Sequence, residues 1–321
     1  MATEPPLRPR SGRDGSFSLW SDAFAEGFHC AEGALAEAQA TFVVPSELER
    51  FASGASLTLV EVAVGTGTNT AALIEAAQVR GLALHWWGLE LDPRPLALAL
   101  AAPPFRRAWT PAGMAELERL AAGPTLLWGD ARARLADLPP HLEGTCDLVW
   151  LDAFSPRRCP QLWTQEFLGG LVRLLGPRGR LVSYGSAAAF RATLRGWGLE
   201  VAAIRRAPVG AVASGGASTG AERWSGGTVA SPSLLPGNGA LRPLSPMEEE
   251  HLRTRAATPY RDPHGTATAA EILAERARRQ HQEGGESTSA WRRRWGLEGA
   301  LGRQSLAALP RPPLGPSEEA R

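Results

Sequence analysis

The sequence predicts an α/β fold, built as a doubly wound and mostly parallel sheet. Strand-like apolar runs alternate with helix-like segments from residue 57 onward, and several runs are followed directly by glycine or an acidic residue. Strands that alternate with helices of about ten residues pair in parallel through right-handed crossovers. A chain of 321 residues can bury one large core and still carry a smaller appendage.

The elements follow in order from the first apolar run. A strand is predicted at 57–64, where Glu61 interrupts an otherwise largely apolar stretch, and a helix at 69–81 that ends at Gly81. Later strands are predicted at 82–90, 125–130, 146–152, 179–185, 199–206 and 224–230. Later helices are predicted at 95–102, 131–138, 165–175 and 188–197.

Composition narrows the class of protein. The 34 basic and 33 acidic side chains nearly cancel, and every basic residue is arginine, so net charge does not favour nucleic acid. Three widely spaced cysteines without a CxxC pair indicate a reducing compartment and no structural metal or disulfide framework. Without an apolar run of ~18 residues, the sequence predicts a soluble, cytoplasmic protein with no membrane segment, and leaves the oligomeric state open.

Chemically distinctive residues follow the first four predicted strands. Ligands of doubly wound sheets bind beyond the carboxyl ends of the strands, so these residues are expected to meet around one ligand. The glycines allow close approach of the backbone, Glu90 suits two ribose hydroxyls, and Asp130 suits an adenine amino group. The set comprises Glu61, Gly65, Gly67, Asn69, Glu90, Asp130 and Asp152. It predicts a nucleoside ligand.

The turn after the first strand distinguishes between nucleoside cofactors. A dinucleotide fingerprint reads G-x-G-x-x-G, whereas residues 61–67 read E-x-A-x-G-x-G. Glu61 is poorly placed for a pyrophosphate but suits a cationic amino acid moiety. S-adenosylmethionine carries a sulfonium, an ammonium group, a ribose and an adenine. We therefore expect S-adenosylmethionine rather than NAD.

Several stretches resemble the methyltransferase domain of the MnmC-type tRNA wobble-uridine enzymes. They are the amino-terminal segment 15–43, the turn 61–69, the strand and loop 150–164 and the segment 176–201. The resemblance implies a class I S-adenosylmethionine-dependent methyltransferase domain at 15–230. Residues 1–14 are expected to be disordered, and the C-terminal extension, residues 231–321, to be partly helical with a disordered end.

Three residues depart from the family pattern. Ala63 and Ala153 replace glycines, and Cys159 stands where asparagine is usual. Alanine at 63 is expected to require a negative φ. Cys159 is expected to fill space rather than act as a nucleophile.

The resemblance also implies a reaction. A methyl group passes to the amine of 5-aminomethyl-2-thiouridine at the wobble position, with the tRNA anticodon stem-loop as partner. Asp152 would be catalytic, orienting the amine first and accepting its proton second, while Phe154 and Trp163 would bind the substrate. For Trp163, stacking on the base and capping the core both stay open. No flavin-binding fingerprint is recognised, so the aminomethyl group is expected to be made elsewhere.

Two other functions stay open at this point. One is a transferase that methylates another amine or moves an aminopropyl group. The other is a non-catalytic RNA-binding module.

The extension shows helix-start signals. Capping boxes at Ser245 and Thr268 predict helices at about 246–256 and 269–282. The segment 291–296 mixes tryptophan with arginine, which fits either an RNA-binding segment or a docked or solvated one.

Overall fold

The structure, a computed structural model, describes residues 5–205, 225–236 and 239–297. Its strands are β1 Leu7–Ser11, β2 Phe17–Ser21, β3 Glu26–Gly27, β4 Ser56–Val62, β5 Ala83–Glu90, β6 Leu126–Trp128, β7 Cys146–Leu151, β8 Leu175–Ser183, β9 Glu200–Ile204, β10 Gly227–Ser231 and β11 Leu241–Pro243. Its α-helices are α1 Ala34–Glu37, α2 Val44–Ser46, α3 Thr68–Arg80, α4 Pro93–Ala101, α5 Pro103–Arg106, α6 Pro111–Ala121, α7 Ala131–Arg134, α8 Gln165–Leu174, α9 Ala188–Gly196, α10 Pro246–His251, α11 Ala269–Gln282 and α12 Thr288–Arg294.

An eight-stranded sheet runs through the centre in the order β11-β9-β10-β8-β7-β4-β5-β6. β8, β7, β4, β5 and β6 pair in parallel, whereas β10 lies antiparallel to both β8 and β9. The predicted doubly wound, mostly parallel sheet is confirmed. It brings the carboxyl ends of β4, β5, β6 and β7 to one edge.

Both faces of the sheet are buried. Along β4, Leu57 and Leu59 pack into one hydrophobic cluster, and Val60 and Val62 into the cluster on the opposite face. Successive side chains of a strand point to opposite faces, so a strand covered on both sides is apolar along its whole length. The apolar run at 57–64 therefore marks a central strand.

Local signals fix the helix boundaries. Gly81 ends α3 with a φ of 66°, in the left-handed region that glycine occupies without strain. The capping boxes at Ser245 and Thr268 both form, and α11 spans the predicted residues. The helix expected at 246–256 is shorter, because α10 ends at His251 and a separate 3-10 turn follows at Arg255–Ala257.

The amino-terminal segment is ordered where disorder was expected. Within the predicted disordered stretch 1–14, β1 pairs antiparallel with β2, so the prediction is wrong for residues 7–11. Pro9 is tolerated because β1 is an edge strand. The guanidinium of Arg10 lies 4.1 Å from the ring centroid of Trp20, which gives this polar strand a packing partner.

The C-terminal extension is docked on the sheet domain through ion pairs of Arg191 with Glu248 and of Arg195 with Glu249. Trp291 is fully buried and stacks on His251 at a centroid distance of 4.2 Å. The Trp295 indole donates to Glu250, which also pairs with Arg294. Segment 291–296 therefore packs against α10 within the extension, as expected of a docked segment. The predicted disordered end lies outside the described residues from 298 onward.

No helix within the described ranges is long and apolar enough to cross a membrane.

Candidate cofactor and substrate site

A cavity of about 770 Å³ lies at the carboxyl edge of the parallel strands. Residues that follow β4, β5, β6 and β7 form its floor, and the segment around Phe24 to Cys30 covers it. Its volume is within the range of small-molecule and cofactor sites. Of the predicted site residues, the ones that line it are Gly65, Asn69, Glu90, Asp130, Asp152 and Phe154.

Glu90 is held rigidly at the end of β5. One carboxylate oxygen accepts from the Gly65 N–H at 2.8 Å and the other from the Asp92 N–H at 2.9 Å. Each oxygen keeps a further lone pair, and the residue lines the cavity. Burial raises the pKa of Glu90, so a donor that enters the cavity meets a poorly hydrated carboxyl group.

The turn after β4 has three residues in the left-handed region. Gly65 has a φ of 59° and lines the cavity. Gly67 has a φ of 76°, but it lies outside the lining, and a Cβ there would come within 2.8 Å of Leu96. In this structure Gly67 shapes the turn and leaves room for α4, and its contact with a cofactor stays a prediction.

Ala63 occupies the third of these positions, with a φ of 63°. The expectation of a negative φ is wrong. An L-residue in this conformation costs ~1–2 kcal/mol relative to right-handed geometry. The turn thus stores strain that a glycine would not have, at a residue that lines the cavity.

Glu61 faces away from the cavity. One carboxylate oxygen accepts from the Thr70 hydroxyl and from the Trp86 indole, both at 2.7 Å, and the residue is completely buried beneath α3. Among the described residues, its other oxygen has no hydrogen-bond partner. Burial raises the pKa of Glu61 to about 7. The predicted role of Glu61 as a cofactor ligand is therefore wrong, because its carboxyl group serves the sheet–helix interface.

Asp130 follows β6 and lines the cavity next to Arg132. Its carboxylate accepts from the Arg132 guanidinium, with a shortest distance of 2.6 Å, and also caps α7. Although burial raises it, the hydrogen bonds from Arg132 bring the pKa of Asp130 below its ordinary value. Asp130 is therefore an ionised acceptor at neutral pH.

Asp152 stands where β7 ends. Its backbone N–H donates to the Val62 carbonyl at 3.1 Å, and its carboxylate accepts from the Asn69 side-chain amide at 2.7 Å. Burial raises the pKa of Asp152 well above its ordinary range, and the charge of Glu37 raises it further. Asn69, predicted as a cofactor ligand, lines the cavity and orients this carboxylate.

Among the cavity residues that were not predicted, three polar ones come from distant segments. Glu37 precedes the π-helical segment Ala38–Val43 and accepts from the Cys30 N–H at 2.7 Å. Glu26 accepts from the Ser155 hydroxyl, and the Tyr184 hydroxyl donates to the Ala153 carbonyl at 2.8 Å. Glu37 had a usable signal, since it belongs to the amino-terminal stretch that resembles the family.

The two aromatic candidates have different environments. Phe154 lines the cavity and stacks on Phe24 at a centroid distance of 4.4 Å. Trp163 is 1% exposed, lies outside the cavity lining and donates from its indole to the Phe154 carbonyl at 2.8 Å. The substrate-stacking role of Trp163 is wrong, because its ring packs edge-on against Tyr184 and Phe190 in the core.

Cys159 lines the cavity but is nearly buried. Burial raises the pKa of its thiol to about 11, so it stays protonated at neutral pH. This protonation state supports the expected space-filling role.

The charge of the cavity favours a cation. Two arginines line it, and each is paired with an acidic neighbour, Arg94 with Asp92 and Arg132 with Asp130. The acidic lining residues are Glu26, Glu37, Glu90, Asp92, Asp130 and Asp152. Carboxylates in excess of guanidinium groups stabilise a positively charged ligand.

Comparisons with known proteins agree with this geometry. Residues 106–210 match a family model described as S-adenosyl-L-methionine-dependent methyltransferase. The chain is 29% identical over 218 residues to the tRNA 5-methylaminomethyl-2-thiouridine biosynthesis bifunctional protein MnmC of Chromobacterium violaceum, covering 59% of this chain and 32% of that protein. It is 30% identical over 214 residues to the MnmC of Cupriavidus necator, covering 59% of this chain and 31% of that protein.

A solved structure extends the likeness. The crystal structure of MNMC2 from Aquifex aeolicus superposes with a TM-score of 0.69 at 26% identity, covering 88% of this chain and 86% of that one. The matched part of this chain spans about a third of the length of the curated relatives. The predicted methyltransferase fold, the resemblance to the MnmC methyltransferase domain and the S-adenosylmethionine-dependent class are confirmed.

Proposed function

We propose that this chain, which carries an S-adenosylmethionine-dependent methyltransferase domain of the MnmC type, methylates the primary amine of 5-aminomethyl-2-thiouridine at the tRNA wobble position. The observation that carries the proposal is the Asp152 carboxyl group, held by Asn69 in an acidic cavity at the carboxyl edge of the sheet. The MnmC relatives are named for biosynthesis of tRNA 5-methylaminomethyl-2-thiouridine. We further propose residues 15–230 as the catalytic domain and 231–321 as its extension.

The residues of the cavity fit S-adenosylmethionine. Glu90 offers two fixed oxygens to vicinal hydroxyl donors, Gly65 allows the backbone to approach, and Asp130 accepts from an amino group. The excess of carboxylates suits the sulfonium and the ammonium group. When bound, the cofactor supplies an activated methyl group, so the protein contributes mainly positioning.

Asp152 is placed to take the proton from the amine that accepts the methyl group. An alkylamine with a pKa near ~10 is almost entirely ammonium at pH 7, and freeing its lone pair costs up to about 4 kcal/mol. An ionised Asp152 binds that ammonium group and takes its proton. Because burial and Glu37 raise the pKa of Asp152, it is a better proton acceptor than an exposed aspartate. Asn69 keeps the carboxylate directed into the cavity.

Access for RNA is supported by the loop that follows Asp152. Arg157 and Arg158 are both exposed. The same loop supplies Phe154 to the cavity. Exposed arginines in a loop that also contributes to the cavity suit the phosphates of an anticodon stem-loop.

The test is a transfer assay. Full-length protein is incubated with methyl-labelled S-adenosylmethionine and tRNA bearing 5-aminomethyl-2-thiouridine, and the digested nucleosides are separated. We expect label in 5-methylaminomethyl-2-thiouridine. The matched control is the same tRNA transcribed without modification, which should remain unlabelled.

Other outcomes select the other functions. Label on small amines but not on the modified tRNA would show a different amine transferase. If the protein binds tRNA but neither binds the cofactor nor transfers label, it is a non-catalytic RNA-binding module.

A further inference from the structure

The C-terminal extension reaches the cofactor cavity through a buried ion pair. Asp262 is 3% exposed, and its carboxylate accepts from the Arg132 guanidinium at 2.7 Å. The other carboxylate oxygen accepts from the N–H groups of Thr266 and Ala267, both at 3.2 Å. The same Arg132 nitrogen also donates to the Ala267 carbonyl at 2.9 Å. Segment 262–267 thus encloses one edge of the guanidinium.

The remaining edge of Arg132 holds Asp130. The Arg132 Nη2 donates to one Asp130 oxygen at 2.6 Å. The Arg132 Nε lies 3.1 Å and 3.2 Å from the two Asp130 oxygens and donates to both. Both residues line the cavity, and the Asp130 side chain is 44% exposed whereas that of Arg132 is 13% exposed. A continuous chain of charge-assisted hydrogen bonds therefore runs from the buried extension to a carboxylate that faces the ligand.

The segment that carries Asp262 is itself anchored to the domain. The Asp262 N–H donates to the Glu166 carboxylate at 2.8 Å, and Arg261 pairs with the same carboxylate. The Gln165 N–H donates to the Tyr260 carbonyl at 2.9 Å. The position of Asp262 is consequently fixed relative to α8.

We propose that Asp262 and Arg132 are positioning residues that fix the Asp130 carboxylate, so that the extension determines selectivity for the exocyclic amino group of the cofactor's adenine. A carboxylate accepts a hydrogen bond from an amino group but repels a carbonyl oxygen at the same place. Without Asp262, Arg132 loses its buried anchor, and the Asp130–Arg132 pair adopts several orientations. The inference rests on binding of S-adenosylmethionine in this cavity and is independent of the methyl acceptor.

The experiment compares two ligands that differ at C6 of the purine and, as a consequence, in the proton on the adjacent N1. Isothermal titration gives the affinities of S-adenosylhomocysteine and S-inosylhomocysteine, in which a carbonyl replaces the amino group. We expect the wild-type chain to prefer the adenosyl ligand by about tenfold or more, as expected for a site with a positioned acceptor. Asp262→Asn should lower this preference at least ~3-fold, with most of the change in the adenosyl affinity.

The matched control is Glu248→Gln. Glu248 is also a buried carboxylate of the extension paired with an arginine of the domain, Arg191 at 3.0 Å, but neither residue lines the cavity. This variant should lower thermal stability comparably and leave the preference unchanged. In an Asp130→Asn background, Asp262→Asn should cause no further loss of preference.

An unchanged preference in Asp262→Asn, or an equal loss in Glu248→Gln, would overturn the inference. If Asp262→Asn does not fold, Arg132→Lys replaces it, because one ammonium nitrogen lacks the separate guanidinium nitrogens that Arg132 directs at Asp130 and at Asp262. A lowered preference in Arg132→Lys then supports the inference, and an unchanged one contradicts it. All measurements are made without tRNA, so they do not depend on which acceptor the protein methylates.

Discussion

Replacing Glu61 by glutamine separates a structural role from cofactor binding. The carboxyl group is completely buried, and burial raises its pKa from 4.5 to about 7. The folded chain therefore binds this proton more tightly than the unfolded chain. The stability that results is fully present below pH ~4.5 and is lost as pH rises through 7, with an upper bound of about 3 kcal/mol for such a shift.

Glutamine does not titrate, so Glu61→Gln removes this pH dependence. Urea unfolding at pH 5 and pH 8 gives the free energy of unfolding of both proteins. The difference, variant minus wild type, should be larger at pH 8 than at pH 5 by up to about 3 kcal/mol. Affinity for S-adenosylmethionine should stay within about twofold, because Glu61 lies outside the cavity lining. The reasoning is refuted if both proteins show the same pH dependence, or if the variant loses cofactor affinity tenfold.

Three further substitutions test the cofactor site, the strained turn and the extension. Glu90→Ala should weaken S-adenosylmethionine binding about tenfold or more in calorimetry, since two ribose hydrogen bonds are lost, and an unchanged affinity would mean the ribose is misplaced. Ala63→Gly should raise the free energy of unfolding by ~0.5–1 kcal/mol in urea, because the relieved strain exceeds the added chain entropy; a destabilised variant would contradict the strain. Trp291→Ala should lower the free energy of unfolding by about 3 kcal/mol or more. It should leave the salt dependence of tRNA binding unchanged, and a flatter salt dependence would indicate that Trp291 contacts RNA.

Residues at the ends of parallel strands were predictable from the sequence. Glu90, Asp130 and Asp152 each end an apolar run, and the topology of a doubly wound sheet brings such positions together. Predicting them required only the positions at which these apolar runs end. The helix boundaries marked by Gly81 and Thr268 were predictable for a similar reason, because their signals are local.

Side-chain direction was harder to predict. Glu61 shares a strand face with Leu57 and Leu59, and the alternation places all three beneath α3 rather than at the strand end. Trp163 lies in the 3-10 turn Pro160–Trp163, whose orientation depends on tertiary contacts with Phe190 that no local pattern reports.

Contributions from distant segments were also missed. Glu37, Glu26 and Tyr184 reach the cavity from the amino-terminal cover and from the residue just beyond β8. Their encounter with Asp152 depends on long-range packing. β1 was missed because an edge strand needs few apolar residues, and LRPRS has one.

The most direct test of the account is the rate of methyl transfer by Asp152→Asn. Single-turnover rates on tRNA bearing 5-aminomethyl-2-thiouridine are measured from pH 6 to pH 9, with the affinity for S-adenosylmethionine measured alongside. We predict unchanged cofactor affinity and a rate about 10²-fold or more below wild type at pH 7. The deficit should shrink as pH rises towards the pKa of the amine, because solvent then supplies the neutral nucleophile. Full activity at pH 7, or loss of cofactor binding in this variant, would contradict the assignment of Asp152 to the amine.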